Sequence, residues 1–254
     1  MPNETIEFRK EGAIAAIAFT PHSVERQDPF LISSRFGDIC AEIAADPKLQ
    51  VVVITGVGDN AFEPGALENY RQTGDGGLYM PSIVERTADL QIPVIIGMHG
   101  YIAGLGLELA LACDIRMATP ESQFAFPQVS MGFIPFEGGT QRLPRIVGTA
   151  KALEIILTGE KIDAETGYRI GLVNRIVNPD ELSSAIMTLA QKMSDSSVIS
   201  LMYAKEAILK GMELTLEQGL RLEADLYFLM HTTRDRQEGI QAFREKRKPK
   251  FKGT

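Results

Sequence analysis

The pattern of hydrophobic and polar positions divides the chain into short apolar runs and longer amphipathic segments. Runs rich in β-branched residues are typical of buried strands, and strict alternation is typical of a half-exposed strand. These patterns predict strands at Thr5–Arg9, Ala13–Thr20, Val51–Thr55, Pro93–Met98, Asp114–Ala118, Gln123–Phe126 and Leu172–Val177. Thr5–Arg9 alternates, so we expect it to pair with Ala13–Thr20 as an edge strand.

Helical periodicity fills the chain between these runs and dominates its second half. The predicted helices are Phe30–Ala45, Met80–Leu90, Ile102–Ala112, Thr149–Leu157, Ala164–Ile170, Glu181–Ser194, Val198–Lys210, Leu216–Leu229 and Asp235–Lys246. Strands that alternate with helices favour an α/β fold with mostly parallel pairing, here followed by a helical C-terminal region. We divide the chain into a core at 1–195 and a helical region at 196–254.

Composition narrows the class of protein. The 254 residues include 44% hydrophobic and 23% charged residues, with a net charge of −7, which argues against nucleic acid as the main partner. Two cysteines are too few for a disulfide framework, and no run of 18 apolar residues predicts a membrane-spanning helix. With no signal-peptide pattern at the start, we expect a cytoplasmic protein without membrane partners.

Two glycine-marked loops follow two of the predicted strands, where α/β folds commonly bind ligands. They are Ala61–Tyr70 and Gly100–Glu108, and the second leads into the apolar helix. One backbone N–H from each loop would form an oxyanion hole, which stabilises negative charge on a reacting oxygen. The alternative is that the glycines only permit tight turns or close helix packing. The second loop lacks the spacing of a dinucleotide-binding motif.

Two stretches of this sequence resemble the crotonase family, also called the enoyl-CoA hydratase/isomerase superfamily. They are Gly100–Asp114 (GYIAGLGLELALACD) and Gly132–Pro144 (GFIPFEGGTQRLP), and weaker matches cover most of the remaining chain. The resemblance implies a crotonase-like spiral core of ββα units, with the helical C-terminal region serving oligomerisation. It also implies an acyl-CoA thioester as substrate, no separate cofactor, and a homotrimer or a hexamer of two trimers.

The resemblance places the oxyanion hole at the backbone N–H groups of Ala66 and Leu105, with Gly65, Leu67 and Gly104 as further substrate-binding positions. Two of these positions depart from the family pattern. Leu105 stands where the family usually has glycine, and Leu67 stands where it commonly has aspartate. A side chain at Leu105 is acceptable only if its φ and ψ stay in an allowed region.

The acid–base residues implied by the resemblance are Glu108 and the position of Gln128, where hydratases of the family carry a second glutamate. Glu108 lies in apolar surroundings, where a carboxylate is costly unless it is paired or functional. Gln128 cannot exchange a proton at neutral pH, although it can orient water or substrate. Glu137 is the nearest candidate to replace the missing carboxylate; the alternative for Glu137 is a solvated loop charge.

The last basic segment, Arg244–Lys252, carries six basic residues and one acidic residue. Read from composition alone it is a solvated tail, whereas the family places this tail near the adenine end of CoA, with Phe251 able to pack against the base. The histidines His22, His99 and His231 lack the spacing of a zinc site, so we expect no metal.

Three functions remain compatible with the sequence. The first is an acyl-CoA lyase of the hydratase type, which adds water to an enoyl- or dienoyl-CoA or removes it. The second is a one-base isomerase, or a hydrolase of a related CoA ester or diketone. The third is an inactive homologue that binds an acyl-CoA or a protein partner.

Overall fold

The computed structural model describes residues 6–20, 29–58 and 82–254. The strands in these ranges are β1 Ile6–Glu11, β2 Ile14–Phe19, β3 Val51–Val57, β4 Val94–Met98, β5 Tyr101–Ala103, β6 Ile115–Ala118, β7 Gln123–Ala125, β8 Ile162–Asp163 and β9 Arg175–Ile176. The helices are α1 Pro29–Ala45, α2 Ile83–Ala88, α3 Leu105–Ala112, α4 Gly139–Val147, α5 Thr149–Thr158, α6 Ala164–Arg169, α7 Pro179–Ser194, α8 Val198–Gly211, α9 Leu216–Met230 and α10 Arg234–Glu245. A 3₁₀ turn spans Pro127–Met131.

The main sheet has the strand order β1-β2-β3-β4-β6-β9. β1 is antiparallel to β2 and lies at the edge, while the other neighbouring strands are parallel. The central strands β3 and β4 are mostly apolar because both faces of the sheet are covered. One face carries the larger core cluster, and helix α7 covers part of the other through Ile186, Leu189 and Ala190.

A second, three-stranded sheet with the order β5-β7-β8 brings together the segment that leads to Glu108 and the segment that leads to Gln128. β5 and β7 are parallel, with Ile102 opposite Phe124 and Ala103 opposite Ala125. Gly104 N–H then donates to Ala125 O at 3.3 Å, so both strands end at the same place. Helix α3 begins after one strand and the 3₁₀ turn after the other.

The six strands predicted before residue 130 are confirmed, including the antiparallel edge strand β1. Other predictions are wrong in detail. The helix predicted at Ile102–Ala112 begins only at Leu105, because residues 101–103 pair with β7. The strand predicted at Leu172–Val177 contains two strand residues, and helix α4 was not predicted, because Pro144 and the preceding glycines obscure its pattern.

The segment after helix α10 folds back onto that helix. Asp235, which is buried, accepts hydrogen bonds from Lys252 N–H at 2.7 Å, from Gly253 N–H and from the Ser197 hydroxyl at 2.8 Å. Arg247 forms a two-pronged ion pair with Glu238, at 2.6 and 2.9 Å. The basic segment is therefore anchored at two points, and the interpretation as a wholly solvated tail is wrong.

Both cysteines, Cys40 in α1 and Cys113 at the end of α3, are buried and free. The Cys113 thiol donates to Leu109 O at 3.3 Å. Burial raises the pKa of each thiol to about 12. Within the described ranges, no helix combines the length and apolar character needed to cross a membrane.

Candidate active site

Gly104 turns the chain sharply from strand β5 into helix α3. It is buried and has φ 54° and ψ −122°, a conformation that residues with a Cβ rarely adopt. Leu105 follows as the first helical residue. Its φ is not positive, because Lys246 is the one non-glycine residue with a positive φ among the described residues. The substitution at Leu105 thus introduces no backbone strain, because Gly104 makes the unusual turn.

The beginning of helix α3 presents backbone donors. The first N–H groups of a helix have no acceptor within it, and the helix dipole makes this end positive. The first internal bond runs from Glu108 N–H to Gly104 O at 3.0 Å. Leu105 N–H lies before that point, so it has no acceptor within the helix.

Glu108 is the single charged residue of helix α3 and is 1% exposed. Its Oε1 accepts hydrogen bonds from Glu137 N–H at 2.7 Å and from Gly139 N–H at 2.8 Å. Burial raises the pKa of Glu108 from 4.5 to about 7, although the backbone donors oppose this rise. A carboxyl group with this pKa can accept and release protons near neutral pH.

The donors to Glu108 come from the loop that precedes helix α4. Gly139 is the first residue of that helix, so its N–H adds the positive end of the α4 dipole to the site. A Cβ on Gly139 would lie 2.8 Å from Pro135 Cβ and 3.0 Å from both Glu108 Oε1 and Phe126 Cε1. Only glycine therefore fits between the loop and the carboxylate.

Gln128 lies in the 3₁₀ turn after β7 and is 9% exposed. Its Oε1 is buried and has no hydrogen-bond partner among the described residues. A buried acceptor left without a donor costs about 1–3 kcal/mol, so such a group calls for a functional or structural explanation. A water or a polar group of a ligand would supply the donor.

Glu137 interacts with Glu108 in two ways, through a backbone hydrogen bond and through the charge of its carboxylate. Its N–H is one of the donors to Glu108 Oε1, and its half-buried carboxylate is close enough to raise the pKa of Glu108. The sequence singled out the Glu137 side chain, whereas the structure adds a backbone contact that the sequence analysis missed. That contact places the 133–139 loop directly against the candidate catalytic carboxyl group.

The remaining predicted site residues are Gly65, Ala66, Leu67 and Phe251. Gly65, Ala66 and Leu67 lie outside the described residues. Phe251 is half-buried and packs near Gly239 of helix α10, where a Cβ would lie 3.6 Å from the ring.

Two residues near Glu108 were not singled out as site residues, namely Gly139 and Arg142. Arg142 Nη1 donates to Glu137 O at 2.8 Å, so it contacts the loop that holds Glu108. Both residues fall within the Gly132–Pro144 stretch quoted for the family resemblance, which is the signal that was available. Their contacts depend on the approach of α4 to α3, which sequence spacing does not reveal.

Comparisons with known proteins agree with this geometry. The family model described as enoyl-CoA hydratase/isomerase matches residues 33–254. A crotonyl-CoA hydratase of Syntrophomonas wolfei is 35% identical over 223 residues, covering 84% of this chain and 85% of that protein. A 2,3-dehydroadipyl-CoA hydratase of Escherichia coli is 38% identical over 216 residues, covering 83% of this chain and 84% of that protein.

Solved structures show the same fold. The crystal structure of an enoyl-CoA hydratase from Bacillus anthracis superposes with a TM-score of 0.87 at 30% identity, covering 99% of this chain and 100% of that one. Because the family model covers most of the chain and the relatives match along most of their length, the chain belongs to the enoyl-CoA hydratase/isomerase family.

Proposed function

We propose that this protein is an enoyl-CoA hydratase that uses Glu108 as its principal proton-transfer group. The observation that carries the proposal is a buried carboxyl group with a pKa of about 7, held through one oxygen by two backbone N–H groups. The nearby start of helix α3 offers the Leu105 N–H to a thioester oxygen. Relatives named as hydratases of crotonyl-CoA and 2,3-dehydroadipyl-CoA support an enoyl-CoA ester as the substrate.

Hydration in this site begins with Glu108 ionised. Its carboxylate takes a proton from water as the water oxygen bonds to Cβ of the enoyl group. The electron pair of the C=C bond then moves toward the thioester, and negative charge develops on the thioester oxygen. The N–H groups of Leu105 and Ala66 stabilise that charge, which is larger in the transition state than in the substrate.

Protonation of Cα completes the reaction. Glu108 returns its proton to Cα, the enolate collapses to the thioester, and the carboxylate is regenerated. Gln128 supports the first step by holding the attacking water, since its unpaired Oε1 can accept a hydrogen bond from one O–H group of that water. Because both directions start from ionised Glu108, activity falls as the pH drops through about 7.

Binding of the CoA part and assembly belong to the same proposal. Gly65, Leu67 and Gly104 line the thioester end, and Phe251 contacts the adenine end; coenzyme A enters only as part of the substrate, with no further cofactor. We also propose a homotrimer or hexamer built through the helical region that follows residue 195. A reducing cytoplasm suits the two buried, free cysteines.

One observation favours a second function. With an amide at Gln128 the site has one proton-transfer group where two-carboxylate hydration needs two, and a single carboxyl group suffices to move a double bond. A one-base enoyl-CoA isomerase is therefore the alternative.

The decisive experiment incubates the protein with a panel of enoyl-CoA esters and follows the products by mass spectrometry. Hydration adds the mass of one water, isomerisation leaves the mass unchanged but shifts the double bond, and hydrolysis releases free CoA. We expect a gain of water, and a turnover number lower by at least ~10²-fold in Glu108→Gln. No product from any ester, with a melting temperature still raised by the esters, would instead indicate a binding protein without activity.

A further inference from the structure

The side chain of Arg142 contacts the loop that holds Glu108 but does not contact Glu108 itself. Arg142 lies in the first turn of helix α4 and is half-buried. Its Nη1 donates to Glu137 O at 2.8 Å, and its backbone N–H donates to Gly138 O at 2.8 Å. The same residue thus fixes two consecutive carbonyl groups of the loop.

These two carbonyl groups lie between the two N–H groups that bind Glu108 Oε1. The Gly138 carbonyl shares a planar peptide unit with the Gly139 N–H, and the Glu137 carbonyl belongs to the unit between the two donor units. The guanidinium bond to the Glu137 carbonyl therefore restrains the rotation of Glu137 and Gly138 on either side of it, and with it the directions of both N–H donors. Gly138 and Gly139 are otherwise the most freely rotating residues of the loop, and Gly138 has φ 102°.

Gly138 also leaves room for the guanidinium group. A Cβ at Gly138 would collide with Arg142 Nη1. The absence of a side chain at this position lets the guanidinium lie across the loop and reach the Glu137 carbonyl. A side chain at position 138 would therefore displace the guanidinium from this place.

We infer that Arg142 is a positioning residue, which keeps the Glu137 and Gly139 N–H groups directed at Glu108 Oε1 and so sets the position and proton affinity of that carboxyl group. The inference rests on the proposed role of Glu108 in proton transfer. It assigns Arg142 no contact with the substrate.

The expected direction of the effect follows from the charges around Glu108. The backbone donors of Gly139, Glu137 and Phe136 favour the ionised form of Glu108, whereas burial and the Glu137 carboxylate favour the protonated form. Helix α3 carries no other charged residue, and Asp114 and Arg116 lie beyond its C-terminal end. Removing the Arg142 side chain frees the loop, weakens the bonds from these donors and so raises the pKa of Glu108.

The kinetic test compares Arg142→Met and Arg142→Lys with Arg145→Met. Arg145 is a matched control because it lies on the same helix and is exposed. Its Nη1 donates to Gln141 O at 2.9 Å, and this bond does not involve the loop that holds Glu108. We expect Arg142→Met to lower kcat by about 10- to 100-fold, with KM changed less than about twofold, because a displacement of about 1 Å at the reacting group has an effect of this size.

The pH profile supplies the readout that a general loss of stability would not change. In Arg142→Met we expect the acid limb of the kcat profile to move to higher pH. Arg142→Lys retains the charge, so it restores part of the rate and part of the profile. Arg145→Met behaves as wild type. A lowered kcat with an unmoved acid limb, or a wild-type rate in Arg142→Met, overturns the inference.

A second measurement does not depend on activity. Protein labelled with ¹³C at glutamate side-chain carboxyl groups is titrated by NMR, and the Glu108 signal is assigned from its loss in Glu108→Gln. A higher titration midpoint in Arg142→Met, but not in Arg145→Met, supports the inference even if every enoyl-CoA ester is inert, in which case only the proposed function fails. An unchanged midpoint overturns the inference whether or not the enzyme is active.

Discussion

At the scale of single residues, the raised pKa of Glu108 links the active site to stability. The folded protein binds this proton more tightly than the unfolded chain does, since the pKa rises from 4.5 to about 7 on folding. Stability therefore decreases as the pH rises between these two values and stays level above them. By the usual 1.36 kcal/mol per pKa unit, ionising Glu108 costs about 3 kcal/mol of folding free energy.

Glu108→Gln should consequently stabilise the protein at alkaline pH, while it removes activity. We expect its melting temperature to exceed that of wild type at pH 8 by more than at pH 5, because the amide avoids the buried charge. Glu223→Gln, an exposed change in helix α9, is the control and should show no such trend. A difference between Glu108→Gln and wild type that is equal at both pH values would contradict the pKa assigned to Glu108.

Gln128 gives a second prediction at this scale. Gln128→Ala should lower the turnover less than Glu108→Gln does, because it removes only an orienting acceptor. We expect Gln128→Glu to impair the native reaction, since a second carboxylate in the site raises one pKa of the pair. Steady-state kinetics on the best ester of the panel checks both variants. Faster crotonyl-CoA hydration in Gln128→Glu would instead mean that the natural reaction is ordinary two-carboxylate hydration with one partner lost.

The family resemblance implied Glu108 as a site residue, and its position as a lone carboxylate in the apolar run of helix α3 supported that assignment. The sequence could not predict the bonds to that carboxylate. Those bonds come from the backbone of Glu137 and Gly139, and backbone donors leave no signature in residue type. The role of Ala66, which lies outside the described residues, and that of Leu105 stay predictions.

At the scale of elements, the site depends on how closely helix α4 approaches helix α3. The sequence did not predict α4, since its glycines and Pro144 lower helix propensity and the contact with α3 compensates for them. By contrast, the buried strands of the main sheet were predicted well, because a short apolar run of β-branched residues is typical of a buried strand.

Gly139→Ala tests the approach of these two helices. The added Cβ would press on Pro135, Phe126 and Glu108 Oε1, so the loop must withdraw and the bond from Gly139 N–H weakens. We expect kcat to fall by at least ~10-fold. Gly211→Ala is the matched control, because no described residue lies within 4 Å of the Cβ that this change adds in helix α8. Equal rates in the two variants would show that the close approach is not needed.

At the scale of the whole molecule, the helical region exposes more apolar surface than a monomer usually does. Large exposed side chains on α8, the following turn and α9 include Ile208, Leu209, Met212, Leu214, Leu216, Leu220, Tyr227 and Phe228. Leu216 is 80% and Phe228 72% exposed. Apolar surface of this extent is characteristic of a protein–protein interface.

We therefore expect multi-angle light scattering at micromolar concentration to give about three or six times the chain mass of 27.9 kDa. Burial of these side chains between copies accounts for the association. A mass of one chain would contradict the proposed assembly, and would leave the exposed surface to another partner.

The rates at which the two buried thiols react with a modifying reagent report local opening of the protein. A reagent that modifies cysteine reaches Cys40 only when helix α1 separates from the core, and reaches Cys113 only when the end of helix α3 loosens. The labelling rates at Cys40 and Cys113 thus measure the local opening of helix α1 and of helix α3 separately. A CoA ester that binds at the start of α3 should lower the labelling rate of Cys113 more than that of Cys40.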